Sequence, residues 1–186
     1  MDAAAHLIAA QGLARTTVDQ IAERADIAQT TFFNHFPSKA DLGDALVERL
    51  IGRLCEFPGP GVADGSTVAE RIGVLFRTSA ELTDDQLRVL GDIVAEAVRA
   101  PVVGRESSLD RLRGLFAVDL ASGQGRGEVR ADRSPAALAD AVLGIYVSAL
   151  LFRGDEDDPV GERLRGSAEL AADLIGTRAT DAVPSP

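Results

Sequence analysis

The 186-residue chain has no tryptophan, one tyrosine, one methionine and one cysteine, and Lys39 is its sole lysine. A lone Cys55 excludes an intrachain disulfide framework and a cysteine-based zinc site, and its apolar helical surroundings mark it as core packing. The two histidines, His6 and His35, fall on different segments without a cysteine at ligand spacing, so no metal site is expected. No G-x-S-x-G, P-loop, G-x-G-x-x-G or HExxH pattern occurs, so neither a catalytic residue nor a cofactor is expected, and the chain does not read as an enzyme. No stretch approaches the roughly 18 apolar residues of a membrane span. "MDAAAHLIAAQG" lacks the basic start of a signal peptide, and the expected location is the cytoplasm.

Aromatics make up only 4% of the chain against 46% hydrophobic residues, which leaves Ala, Leu and Val to fill the interior and favours helices. The formal charge of −10 argues against a surface that binds polyanions everywhere, so any nucleic-acid site must be local. The acidic run "DEDD", Asp155 to Asp158, reads as a solvated connection.

Helical periodicity dominates and no alternating strand pattern appears, so the fold class is all-α. The first helix is expected over Asp2 to Gln11, ended by Gly12. A short second helix follows, with Thr17 as its N-cap and Gln20 three residues on as in a capping box; Val18, Ile21, Ala22 and Ala25 form its apolar stripe. A third starts near Gln29, and Pro37 and Ser38 open a long helix from Lys39 to about Phe57. "PGPGVADGS", Pro58 to Ser66, is the clearest linker. Five further helices are expected over Thr67 to Leu82, Asp84 to Ala100, Ser107 to Ala121, Pro135 to Phe152 and Pro159 to Thr177. The glycines of "SGQGRGEV" read as a loop, and the C-terminus as a frayed tail.

The stretch "TTFFNHFPSK", Thr30 to Lys39, holds three of the seven phenylalanines. On a helix, Phe32 and Phe36 share one side while Thr30, Thr31, Asn34 and His35 occupy the opposite arc. Two short helices joined by a tight turn, the second with a polar face, form a helix-turn-helix, whose second helix offers its early residues to base edges in the major groove. Phe32 and Phe36 are then core anchors that aim that face outward. Phe33 reads either as a third core ring or as an apolar contact to the DNA backbone, and His35 either as a surface residue or as a phosphate contact.

"TTVDQIAERADIAQTTFFNHFPSKADL", Thr16 to Leu42, resembles the DNA-binding segment of the tetracycline-repressor (TetR) family of transcription regulators, and the match extends back to Ala3 and Gly12. The resemblance implies that Gln29, Thr30, Thr31 and Asn34 lie nearest the bases. It puts Phe33, His35 and Lys39 where relatives hold the DNA backbone, and Thr17 where the second helix caps and touches phosphate. The chain departs from the family in Phe33 for tyrosine, Ala28 for a capping Ser or Thr, and Asp26 for the turn glycine. Residues 1–55 carry seven acids against five bases, a formal −2, and no basic arm precedes the first helix. Weak non-specific binding and a need for a dimer follow, or a start codon assigned too late.

The resemblance further implies three segments: residues 1–44 as the helix-turn-helix domain, 45–178 as a helical effector-binding and dimerisation bundle, and 179–186 as a flexible tail. The last two long helices, 135–152 and 159–177, would pair across a two-fold to suit a palindromic double-stranded operator. Their apolar stripes are Leu138, Val142, Ile145, Ala149 and Phe152, then Leu164, Ala168, Ala171 and Ile175, with Gly144, Ser148 and Ala172 among the small residues allowing close approach; an internal core role is the other reading. Phe76, Leu90, Ile93, Val94, Val98, Leu115, Phe116 and Tyr146 are candidates for a pocket for a small apolar effector, with one phenol as its polar handle. The function so implied is a DNA-binding regulator, a repressor released by a small hydrophobic ligand. The alternative is a helical dimer of the same shape that has lost DNA binding and serves as an interaction or ligand-sensing module.

Overall fold

The computed structural model describes residues 1–55, 65–99, 106–152 and 159–177. Among them every regular element is a helix: α1 (Asp2–Gln11), α2 (Val18–Arg24), α3 (Gln29–His35), α4 (Lys39–Cys55), α5 (Val68–Ala80), α6 (Asp84–Arg99), α7 (Ser108–Gly125), α8 (Pro135–Leu151) and α9 (Val160–Ile175). The all-α class holds. The linker from Pro58 to Asp64, the Cys55 side chain, the acidic run and the tail from Arg178 lie outside the described residues.

Helix starts follow short polar signals. Thr17 accepts from the Gln20 amide while the Gln20 side chain accepts from the Thr17 amide, which closes the capping box expected for α2. Thr67 and Glu70 do the same for α5, Thr83 and Gln86 for α6, and Ser134 caps α8 just before Pro135 at the first helical position. Ser38 Oγ accepts from the Asp41 amide at the start of α4.

Helix ends are less regular. α7 runs on through "SGQG" to Gly125 rather than stopping near Ala121. Gly123 lies inside it because a Cβ there would meet Val68 at 2.5 Å and Val129 at 2.7 Å. The turn comes at Gly127 (φ 75), where Glu128 N–H donates to Gly123 O and Gly127 N–H to Gln124 O, a Schellman closure.

Contacts divide the chain into two units, Met1–Gly52 with Leu82–Leu109, and Arg53–Glu81 with Asp110–Pro186. In the first, α1 packs on α6, and Ile8, Ile21, Phe32, Leu42, Leu46 and Leu90 are buried. In the second, α9 packs on α5 and α8 around Ile72, Phe76, Phe116, Tyr146 and Leu164. Arg71 makes a bidentate pair with Asp119 at 2.9 and 2.6 Å, and an isolated bridge joins Val129 to Gly176.

The stripes on α8 and α9 resolve toward the internal reading. Leu138, Val142, Ala149, Leu164, Ala168, Ala171 and Ile175 are all buried within the second unit. Two stripe members depart from this: Ile145 is half-buried and Phe152, just past α8, is 72% exposed, and the small residues Gly144, Ser148 and Gly166 and the apolar Leu170 also face solvent.

Candidate nucleic-acid interface

The motif is α2, a four-residue turn and α3. Ile27 N–H donates to Ala22 O at 3.0 Å and Asp26 N–H to Glu23 O at 3.2 Å, a Schellman closure in which Asp26 holds the left-handed position at φ 53. Glycine takes that position without steric cost; an aspartate tolerates it. The chain then enters α3 at Ala28, whose side chain offers no cap. Ala25, expected on the buried stripe of α2, is exposed as its C-cap, while Ile21 and Ala22 carry the packing.

α3 has seven residues, too few to hold itself in water, so tertiary packing must fix it. Phe32 supplies that anchor at 2% exposure. Phe36 is a weaker one: it leaves the helix with extended backbone before Pro37, half-buried, its ring centroid 5.6 Å from that of Phe32. Phe33 is not a third core ring, since it is 48% exposed and meets Phe32 edge-on at 5.4 Å.

The structure leaves Thr30, Thr31, Asn34 and His35 of the polar arc exposed, and Gln29 at the helix start and Thr17 are exposed as well. Among the described residues the side chains of Gln29, Thr30, Thr31 and Asn34 form no hydrogen bond within the chain, so their donors and acceptors face solvent. Exposed amide and hydroxyl groups at a helix start suit base edges. Lys39 stands apart from this set. Its Nζ donates to the carbonyls of Leu13 at 3.0 Å and Thr16 at 3.2 Å, and the side chain is half-buried.

The pocket candidates fall four to each unit. In the first, Leu90, Ile93 and Val94 are buried while Val98 is 55% exposed. In the second, Phe76, Phe116 and Tyr146 are buried and Leu115 is half-buried. Phe76 and Tyr146 meet edge to face at 5.3 Å, and the Tyr146 hydroxyl lies 2.7 Å from Ser79 Oγ. Ser79 was not anticipated; its signal is a hydroxyl on the same arc of α5 as Leu75 and Phe76, a position that asks for a buried partner.

Two further residues were missed. Asp92 on α6 accepts from the Leu13 amide at 3.1 Å, and Arg88 donates to Ala9 O at 3.3 Å; both tie α6 to α1 and the turn that follows it. Nothing in local pattern flags them, because their partners are backbone groups 79 residues away.

No described helix is long and apolar enough to cross a membrane. Residues 1–46 match the family model for bacterial regulatory proteins of the tetR family. The HTH-type transcriptional repressor DhaR of Mycobacterium sp. (strain GP1) is 25% identical over 145 residues, 76% of this chain and 73% of that one. The fold matches Thermus thermophilus FadR, a TetR-family transcriptional repressor solved with lauroyl-CoA, at a TM-score of 0.68 and 26% identity, covering 100% of this chain and 96% of that one. It also matches Bacillus subtilis FadR, solved with stearoyl-CoA, at a TM-score of 0.69 and 18% identity over 94% and 96% of the two chains. Residues 1–46 thus carry the helix-turn-helix segment of bacterial regulatory proteins of the tetR family, its second helix turning a polar arc to solvent, and the chain as a whole has the all-α fold of TetR-family regulators.

Proposed function

We propose that the chain is a homodimeric, sequence-specific repressor that leaves its operator when a small apolar effector binds. The observation that carries this reading is the exposed row Gln29, Thr30, Thr31 and Asn34 on a helix anchored by buried Phe32. Gln29, Thr30, Thr31 and Asn34 read bases; Thr17, Phe33 and His35 meet the backbone. The exposed small residues Gly144 and Ser148 of α8 and Gly166 of α9 support pairing of two copies through these helices, which sets two readers against a palindrome.

Release works by population shift: an effector that binds better to a dimer with misplaced readers draws the protein off DNA. α4 offers one covalent path for that shift, since it starts at Lys39 beside the reader and one of the boundaries between the units, Gly52 to Arg53, falls within it. Buried Phe76, Phe116 and Tyr146 are the apolar side chains such an effector would have to part, and lauroyl-CoA in the Thermus relative makes a long-chain acyl-CoA the first effector to test.

The experiment is an anisotropy titration with the DNA immediately upstream of the gene and with a scrambled duplex of equal length, across a salt series, with and without lauroyl-CoA. Preferential, salt-sensitive binding of the upstream duplex supports the reading; equal or no binding of both overturns it. Asp26 beside the reader, together with a Lys39 ammonium turned onto the chain's own carbonyls, favours a second reading, an interaction module without DNA binding. Dimerisation without upstream-DNA binding would select it.

A further inference from the structure

We propose that Lys39 is a positioning residue of the reader rather than a phosphate ligand, and that with Asp92 it clamps the α1–α2 turn. The inference rests on the DNA-binding reading above and departs from the role that resemblance implies for this lysine.

The turn runs from Gly12 to Thr16, between the end of α1 and the N-cap of α2. Leu13, 4% exposed, has both its peptide groups held by side chains from elsewhere: its N–H donates to Asp92 Oδ2 at 3.1 Å and its carbonyl accepts from Lys39 Nζ at 3.0 Å. The Thr16–Thr17 peptide is likewise held at both ends, the carbonyl by Lys39 at 3.2 Å and the Thr17 amide by Gln20 Oε1 at 2.9 Å. Gln11 Nε2 donates to the same Gln20 oxygen at 2.9 Å, so the end of α1 is tied to the capping box. Gly12, at φ 84, leaves no room on this side: a Cβ there would lie 3.0 Å from Asp92 Oδ2.

Two of the three donors of the Lys39 ammonium are therefore spent on carbonyls. What they fix is the peptide that carries Thr17, the residue that starts α2 and stands exposed beside the reader. Asp92 brings α6, distant in sequence, into the same grip. An acid and a base thus act on one turn, and that makes the proposal separable from plain electrostatics. Removing Asp92 deletes a negative charge, which by charge alone favours DNA; the clamp requires the opposite for operator binding.

The test compares wild type, Lys39→Met, Asp92→Ala and Asp92→Asn as full chains, each verified folded at the assay temperature by circular dichroism. Binding to the upstream duplex and to a scrambled duplex is measured by anisotropy over a salt series. Expected is a fall on the order of tenfold in the ratio of upstream to scrambled affinity for Lys39→Met and Asp92→Ala. Asp92→Asn, which keeps an acceptor oxygen, restores most of that ratio. The salt slope of Lys39→Met stays at the wild-type value, where a phosphate ligand would take away about 0.9 per contact. A reduced slope with an unchanged ratio, or tighter operator binding by Asp92→Ala, overturns the proposal. Should wild type bind neither duplex preferentially, the functional reading fails and the clamp is judged by amide exchange. Faster exchange at Leu13, Thr17 and Val18 in both Lys39→Met and Asp92→Ala sustains it, and unchanged exchange overturns it.

Discussion

Phe32 and Phe33 are adjacent, identical in chemistry and opposite in environment, so truncating each in turn tests the orientation of α3. Phe32 is 2% exposed, and full burial of such a ring is worth up to about 3 kcal/mol in transfer alone. Phe32→Ala also leaves a cavity that the short helix cannot close without moving, which brings the cost to about 3–5 kcal/mol. Phe33 is 48% exposed, so it forfeits about half of a transfer term and leaves an open notch; Phe33→Ala costs about 1–1.5 kcal/mol. Urea unfolding followed by circular dichroism reads the first unit as a lost or separate transition in Phe32→Ala and a near-native one in Phe33→Ala. Amide exchange across α3 should rise steeply only in the former. Equal costs for the two variants, or a larger one for Phe33→Ala, would mean that α3 is rotated from the orientation described and that its polar arc is not the exposed one.

Three other perturbations have defined outcomes. Asp26→Gly relieves the left-handed strain at φ 53, partly offset by the added freedom of glycine in the unfolded chain, for a net gain under about 1 kcal/mol; thermal melts should show a rise in Tm, and a fall would contradict the Schellman closure. In the buried pair at 2.7 Å, Ser79→Ala and Tyr146→Phe should each cost about 1–3 kcal/mol while the double variant costs about 1 kcal/mol less than their sum; strict additivity in urea titrations would show that the two hydroxyls do not interact. Asp132 has its carboxyl lowered from 3.8 to about 2, chiefly by hydrogen bonds from Arg130 and then by the Arg130 and Arg133 charges. A depressed carboxylate contributes its stability above the unfolded value and loses it as pH falls through about 2. The difference in urea midpoint between wild type and Asp132→Asn should therefore be present at pH 5 and vanish toward pH 2, and a gap independent of pH would refute the pairing.

Much of the fold was legible because its signals are local. The box of Thr17 and Gln20 marks α2, Ser134 and Pro135 mark α8, and the spacing of Phe32 against Thr31 and Asn34 assigns the two faces of α3. Misreadings arise where one pattern has two physical causes. Glycines in "SGQGRG" suggest a break, yet Gly123 is there for close packing and only Gly127 takes a positive φ. Periodicity on α8 and α9 reports that Val142 and Ala168 face an apolar surface; it cannot say whether that surface is their own chain or a second copy, and here it is their own.

The carbonyl partners of Lys39, and Asp92 altogether, were illegible for a different reason: a side chain that satisfies a backbone carbonyl or amide leaves no complementary residue to notice. Their placement bears on how this reader would grip DNA. The first 55 residues carry a formal −2, and most of the donors of the one lysine are turned inward. Arg15 also spends its Nε–H on Gln11 O at 2.6 Å inside the turn, so these 55 residues offer little cationic surface to neutralise phosphates. When the sequence-independent term is small, affinity must come from base contacts made by two readers at once, and such contacts fail with small displacements. A reader of this charge therefore gains more from a rigid turn than a basic one would, and holding Leu13 at both its amide and its carbonyl supplies that rigidity.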